Sequence, residues 1–153
     1  LKSIKWFELL ATCGGLGRLT SMPGTLTSFA AFGVALVFPV SWWALLAVIA
    51  VGWLASDAYA RNSGSKDPGE IVIDEVAGTW IAMYGLSPGL GLPALVLFRV
   101  LDIVKPFPVG AVERLPGGVG IMADDILAGA LANGILRVVV WLFVQGGYAS
   151  FFG

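Results

Sequence analysis

Two adjacent carboxylates, Asp124 and Asp125, follow the glycine-rich stretch LPGGVGIMA and open an apolar run. A pair of charges at the mouth of a membrane-length segment costs free energy unless a metal, a cation or water meets it. The pattern recurs at Asp74-Glu75, and Asp102 sits near Arg99 and Lys105 at the end of a third apolar run. Asp74, Glu75, Asp102, Asp124 and Asp125 are hard oxygen donors suited to Mg²⁺, and Asp67 or Glu70 is placed to join them. Arg99 and Lys105 suit phosphate oxygens. So do Thr25 and Ser28, near the expected start of a helix whose free N–H groups favour an anion. Ordinary helix capping accounts for these hydroxyls, and for Thr27, equally well. Metal and phosphate donors together at headgroup depth point to metal-assisted phosphoryl chemistry on a lipid. In it the metal polarises the phosphoryl oxygen and helps activate water, and a carboxylate takes the proton.

Composition says which elements must position these groups. The chain has 153 residues, one domain's worth, so residues 1–153 are read as a single unit. It is 58% hydrophobic with a mean hydropathy of +0.88 and only 12% charged, so much of it is built for a bilayer. A net charge of −1 gives no footprint for nucleic acid. The absence of histidine removes Ser-His-Asp triads and His-ligated zinc, and the single Cys13 removes a disulfide framework. Residues 1–12 carry Glu8 and no long apolar run, so no cleavable signal peptide is expected there.

In chain order, residues 3–12 read as a short amphipathic helix, an interfacial anchor. The loop at residues 13–28 matches neither a P-loop nor a dinucleotide fingerprint. Residues 29–55 are either one tilted span or two helices turning at Pro39. Residues 76–98 likewise read as one span, or the apolar run, resuming at residues 92–101, reads as a hairpin through Ser87-Pro88-Gly89 whose arms are short for a ~30 Å hydrocarbon core. Arg99, Asp102 and Lys105 fall at i, i+3 and i+6, one stripe on a helix ending at Pro106; a salt-bridge ladder is the plain alternative to a functional role. Residues 109–122 read as a polar, glycine-rich connection, after which Asp124 and Asp125 open the last span, residues 126–144. Along it Asp125, Gly129, Asn133 and Arg137 make a line that packs on another helix, internal or in a second copy, so a homo-oligomer is left open. With both hairpins, Lys2, Lys5, Arg18, Arg61, Lys66, Arg99, Lys105 and Arg114 share one side, cytoplasmic by the positive-inside rule. The expectation is an all-α, multi-helix integral membrane bundle with hairpin helices and a carboxylate-rich site on its cytoplasmic side.

The chain resembles the phosphatidylglycerophosphatase A family. The resemblance rests on Pro23-Gly24-Thr25 with Ser28; on Asp67-Pro68 with Ile71-Val72-Ile73-Asp74-Glu75-Val76-Ala77-Gly78; on Phe98-Arg99, Asp102-Ile103 and Lys105-Pro106; and on Gly117–Met122 with Asp124-Asp125 and Ala128-Gly129. Four blocks in one order make it specific. Thr27 departs from the family's Pro-Gly-Thr-x-Gly-Ser pattern, standing where a glycine is usual. The resemblance implies a Mg²⁺-dependent phosphatase of phospholipid biosynthesis, multi-pass in the bacterial inner membrane, that removes the terminal phosphate of phosphatidylglycerol phosphate. A transporter using the same acids as an ion path, a membrane assembly factor and a phosphatidyl-alcohol transferase are the competing readings; a phosphoaspartyl intermediate is left open.

Overall fold

The computed structural model describes residues 5–145. Among the described residues seven α-helices follow in order: α1 (Trp6–Ala11), α2 (Pro23–Val37), α3 (Trp42–Ser63), α4 (Ile73–Met83), α5 (Gly91–Val104), α6 (Val109–Val112) and α7 (Gly117–Gln145). No strand occurs among the described residues. Lys2 and the first two residues of the expected N-terminal helix, Ser3 and Ile4, lie outside them.

The two proline-marked breaks are both turns. α2 stops at Val37 ahead of Pro39, and Ser41 restarts the chain by accepting a hydrogen bond from the Ala44 N–H at 3.2 Å. α4 and α5 are joined through Ser87-Pro88-Gly89, which makes the second hairpin. With 22 and 29 residues, α3 and α7 are long enough and apolar enough to cross a membrane, at ~1.5 Å per residue against ~30 Å of hydrocarbon. α4 has 11 residues and α5 has 14, too few for a crossing. Trp43, Leu46 and Leu54 on α3, and Val138, Trp141, Leu142 and Val144 on α7, face outward, where lipid suits them and water does not.

α7 starts earlier than the glycines imply. The stretch expected as a connection up to residue 122 holds the single turn α6 and then helix from Gly117. The cause comes from α3: Asp57 Oδ1 accepts a hydrogen bond from the Gly118 N–H at 3.1 Å and caps α7 from another helix. A Cβ at Gly118 would lie 2.5 Å from the Trp53 carbonyl oxygen, so glycine here permits helix contact rather than a loop. Asp124 and Asp125 therefore sit about two turns inside the helix, not at its mouth.

The polar-and-small line of α7 packs on α4. A Cβ at Gly129 would stand 3.1 Å and 3.2 Å from the carbonyl carbon and Cα of Gly78, so the two helices cross backbone on backbone. Asn133 Nδ2 donates to the carbonyls of Ile81, Ala82 and Tyr84 at 3.1, 3.0 and 2.9 Å, and Arg137 Nη2 also donates to Tyr84 O. These bonds satisfy carbonyls at the C-terminal end of α4. Gly129, Asn133 and Arg137 thus serve an internal contact.

Candidate active site

The Gly78–Gly129 crossing sets the first turn of α4 beside the third turn of α7, and α5 closes the third side. All five carboxylates singled out in the sequence meet there, lining one cavity of 630 Å³. Asp102, Asp124 and Asp125 are the tightest group: each offers one oxygen, and these oxygens lie within 4.8 Å of one another. Asp125 is 3% exposed, and its Oδ2 has no hydrogen-bond partner. A buried carboxylate oxygen without a partner is costly, and a proton or a hard cation relieves it. Asp74 lines the same cavity and has no salt-bridge partner among the described residues.

The expected phosphate-holding cations are engaged with carboxylates. Arg99 Nη1 donates to Glu75 Oε2 and, at 2.8 Å, to Asp102 Oδ2, while its Nη2 reaches Thr25 Oγ1 at 3.4 Å. Lys105 Nζ donates to Asp124 Oδ2 at 2.7 Å and is 2.9 Å from Glu113 Oε1. The Arg99–Asp102–Lys105 stripe is broken at its third member. Lys105 adopts a left-handed conformation (φ +48°) as α5 ends before Pro106, leaves the helix face and reaches α7. Partial burial pulls the Lys105 ammonium pKa down, but the bonds to Asp124 and Glu113 outweigh it and hold the value above the ordinary lysine range.

Thr25 and Ser28 stand behind the cavity wall. Ser28 Oγ donates to Glu75 Oε2 at 2.8 Å, and Thr25 meets Arg99, so the two hydroxyls brace site side chains; neither lines the cavity. No side chain caps α2. Gly24 is what brings α2 in: a Cβ there would lie 3.0 Å from Glu75 Cδ. Thr27 also lies off the cavity, so its departure from the glycine of the motif leaves the lining unchanged. Asp67 lines the cavity, whereas Glu70 is drawn away. Tyr59 and Arg18 Nε both donate to Glu70 Oε2, the latter at 2.7 Å, and these bonds hold its carboxyl below the ordinary glutamate value.

Residues 9–140 match the family described as Phosphatidylglycerophosphatase A, a stretch that contains every site residue from Thr25 to Asp125. The chain belongs to the phosphatidylglycerophosphatase A family. It is 34% identical to Phosphatidylglycerophosphatase A of Escherichia coli over 148 residues, covering 91% of this chain and 86% of that one. The family member from Haemophilus influenzae is 36% identical over 136 residues, 82% of this chain and 83% of its own. A protein of Bacteroides thetaiotaomicron named Putative phosphatidylinositol-3-phosphatase is 33% identical over 148 residues, covering 88% and 93%. No solved structure matches. As a member of the phosphatidylglycerophosphatase A family the chain is a lipid phosphatase, which sets aside the transporter and assembly-factor readings.

Three charged cavity residues, Lys66, Glu113 and Arg114, were not singled out in the sequence as site groups. All three lie in polar connections that the two-hairpin arrangement brings to the carboxylate side, which is the signal by which they could have been found.

Proposed function

We propose that this protein hydrolyses the terminal phosphate monoester of phosphatidylglycerol phosphate with Mg²⁺ held by Asp102, Asp124 and Asp125. The observation that carries the reading is the three-carboxylate cluster with its partnerless buried Asp125 oxygen. The cavity is lined by seven carboxylates against three cations, a balance that repels a phosphate until a divalent ion offsets it. When bound, the metal supplies Lewis acidity toward the phosphoryl oxygen and lowers the pKa of a coordinated water.

The chain's own residues do the rest. Glu75, Arg99 and Asp102 form one linked ion-pair set that fixes the α5 carboxylate, with Ser28 and Thr25 bracing it from α2. Lys105 holds Asp124, and Asp124 Oδ1 accepts the Asp125 N–H at 3.1 Å, which sets the rotamer of one α7 ligand. Asp74, beside the cluster and free of any ion pair, takes the proton from the attacking water. The water oxygen bonds to phosphorus, the ester P–O bond breaks, and the proton taken up by Asp74 is returned to the departing glycerol oxygen. Lys105 and Arg99 lend positive potential to the transferring phosphoryl group. The site faces the cytoplasm in a multi-pass arrangement of the inner membrane, supported by the clustering of basic residues on the carboxylate side.

The test is phosphate release from phosphatidylglycerol phosphate in detergent micelles by the purified protein, with Mg²⁺, with chelator, and with Mg²⁺ restored. The expected result is activity lost on chelation, recovered with the metal and abolished in Asp125→Asn. Turnover that survives chelation, or full activity in Asp125→Asn, overturns the assignment.

A further inference from the structure

The cations of this chain divide sharply. Arg99 and Lys105 are each held by two carboxylates, Arg18 by Glu70, Arg61 by Asp57, Arg137 by Tyr84 O and Asn133, and Lys5 by Asn62. Among the described lysines and arginines, the side chains of Lys66 and Arg114 alone have neither a hydrogen bond nor an ion pair, and both line the cavity that holds the carboxylate cluster. They come from separate connections, one after α3 and one after α6, and each has an acid as its immediate neighbour in sequence, Asp67 and Glu113. Glu113 pairs with Lys105 instead, and the exposed Arg114 lines the cavity without a partner.

We infer that Lys66 and Arg114 bind the second phosphate of the substrate, the phosphodiester joining headgroup to diacylglycerol, while the terminal phosphate lies at the cation that Asp102, Asp124 and Asp125 would hold. The inference rests on the proposed lipid phosphomonoesterase reaction and assigns what selects its substrate. A cavity of 630 Å³ is far larger than one phosphate needs and accommodates a headgroup with a phosphate at each end. Arg99 and Lys105 are already engaged by carboxylates, whereas the exposed Lys66 and Arg114 line the same cavity uncommitted. An arginine and a lysine in tandem give one forked donor and one compact charge for the oxygens of a phosphodiester.

The experiment compares kcat/KM for phosphatidylglycerol phosphate with that for phosphatidic acid, a phosphomonoester lipid that lacks the phosphodiester. It uses the full chain and its Lys66→Gln, Arg114→Gln and doubly substituted forms. Both positions are exposed, and thermal unfolding curves that superimpose on wild type establish that the fold is kept. The expected outcome is a fall of about tenfold to a hundredfold per cation in the preference for the two-phosphate lipid, carried mainly by KM, with partial rescue by Lys66→Arg. A preference unchanged in the double variant, or wild type that does not distinguish the two lipids, overturns the inference. Should wild type release no phosphate from either lipid, the proposed reaction fails by itself. Co-sedimentation with vesicles containing one lipid or the other then decides the binding role: excess binding to the two-phosphate lipid that disappears in the double variant upholds it, and equal binding overturns it.

Discussion

Gly129→Ala and Gly134→Ala differ by little over one helical turn on α7 yet should have opposite consequences. At Gly134 an added Cβ meets nothing within 4 Å, and alanine gains about 1 kcal/mol of helix propensity over glycine. At Gly129 the same Cβ meets the backbone of Gly78, with Cα at 3.2 Å where ordinary contact begins at 3.4 Å and its carbonyl group closer still. Backbone cannot rotate away as a side chain does, so α4 must move off α7 as a unit. Overpacking of this kind costs about 1–3 kcal/mol, which the propensity gain only partly offsets. Stability therefore drops by about 0–2 kcal/mol, leaving a folded protein. Activity pays far more, because the crossing sets Asp74 and Glu75 against Asp124 and Asp125. A displacement near 1 Å in a catalytic constellation costs about 100-fold in rate. The assay is phosphate release per folded protein, with thermal unfolding measured alongside. Gly129→Ala as active as Gly134→Ala would refute the idea that this crossing holds the site together.

Three further outcomes follow from particular contacts. Asp57→Ala removes the cap on α7 and should cost about 1 kcal/mol, with faster amide exchange confined to the first turn from Gly117; unchanged exchange there would show that α7 needs no cap from α3. Glu70 has a carboxyl pKa lowered by Tyr59 and Arg18, so its contribution to stability is present above the ordinary glutamate value and is lost as pH falls through the folded one. The stability gap between wild type and Glu70→Gln should thus be open at pH 7 and narrow below about pH 4.3; a gap constant across that range counts against the pairing. Burial first, and the Asp74 charge second, push the Cys13 thiol up to about 11, so alkylation at pH 8 should be slow and Asp74→Asn should quicken it. An identical alkylation rate in that variant would place the Asp74 charge elsewhere.

Both hairpins were legible because proline and glycine act locally: Pro39 and Ser87-Pro88-Gly89 mark turns whatever surrounds them. The convergence of the acids then followed from topology, since hairpins return polar ends to one side. The start of α7 was not legible, because its cap comes from Asp57, about 60 residues earlier, and glycines that permit helix contact look the same in sequence as glycines of a loop. Nor was the pairing of Arg99 with Glu75: spacing along α5 finds Asp102 but has no view of α4. Lys105 misled for a related reason. Its i+6 spacing assumes a helix that in fact ends one residue before it.

The bonds that Asn133 and Arg137 make at the end of α4 bear on how a helix of 11 residues lives in an apolar medium. A helix terminus ordinarily has to reach water, because its last oxygens have no amide left to answer them. Here a neighbouring helix provides those donors from within, so the α4–α5 tip can stop partway through the bilayer without leaving them unanswered. Where that tip ends along α7 is therefore set by the positions of one asparagine and one arginine, one helix-length from the carboxylates.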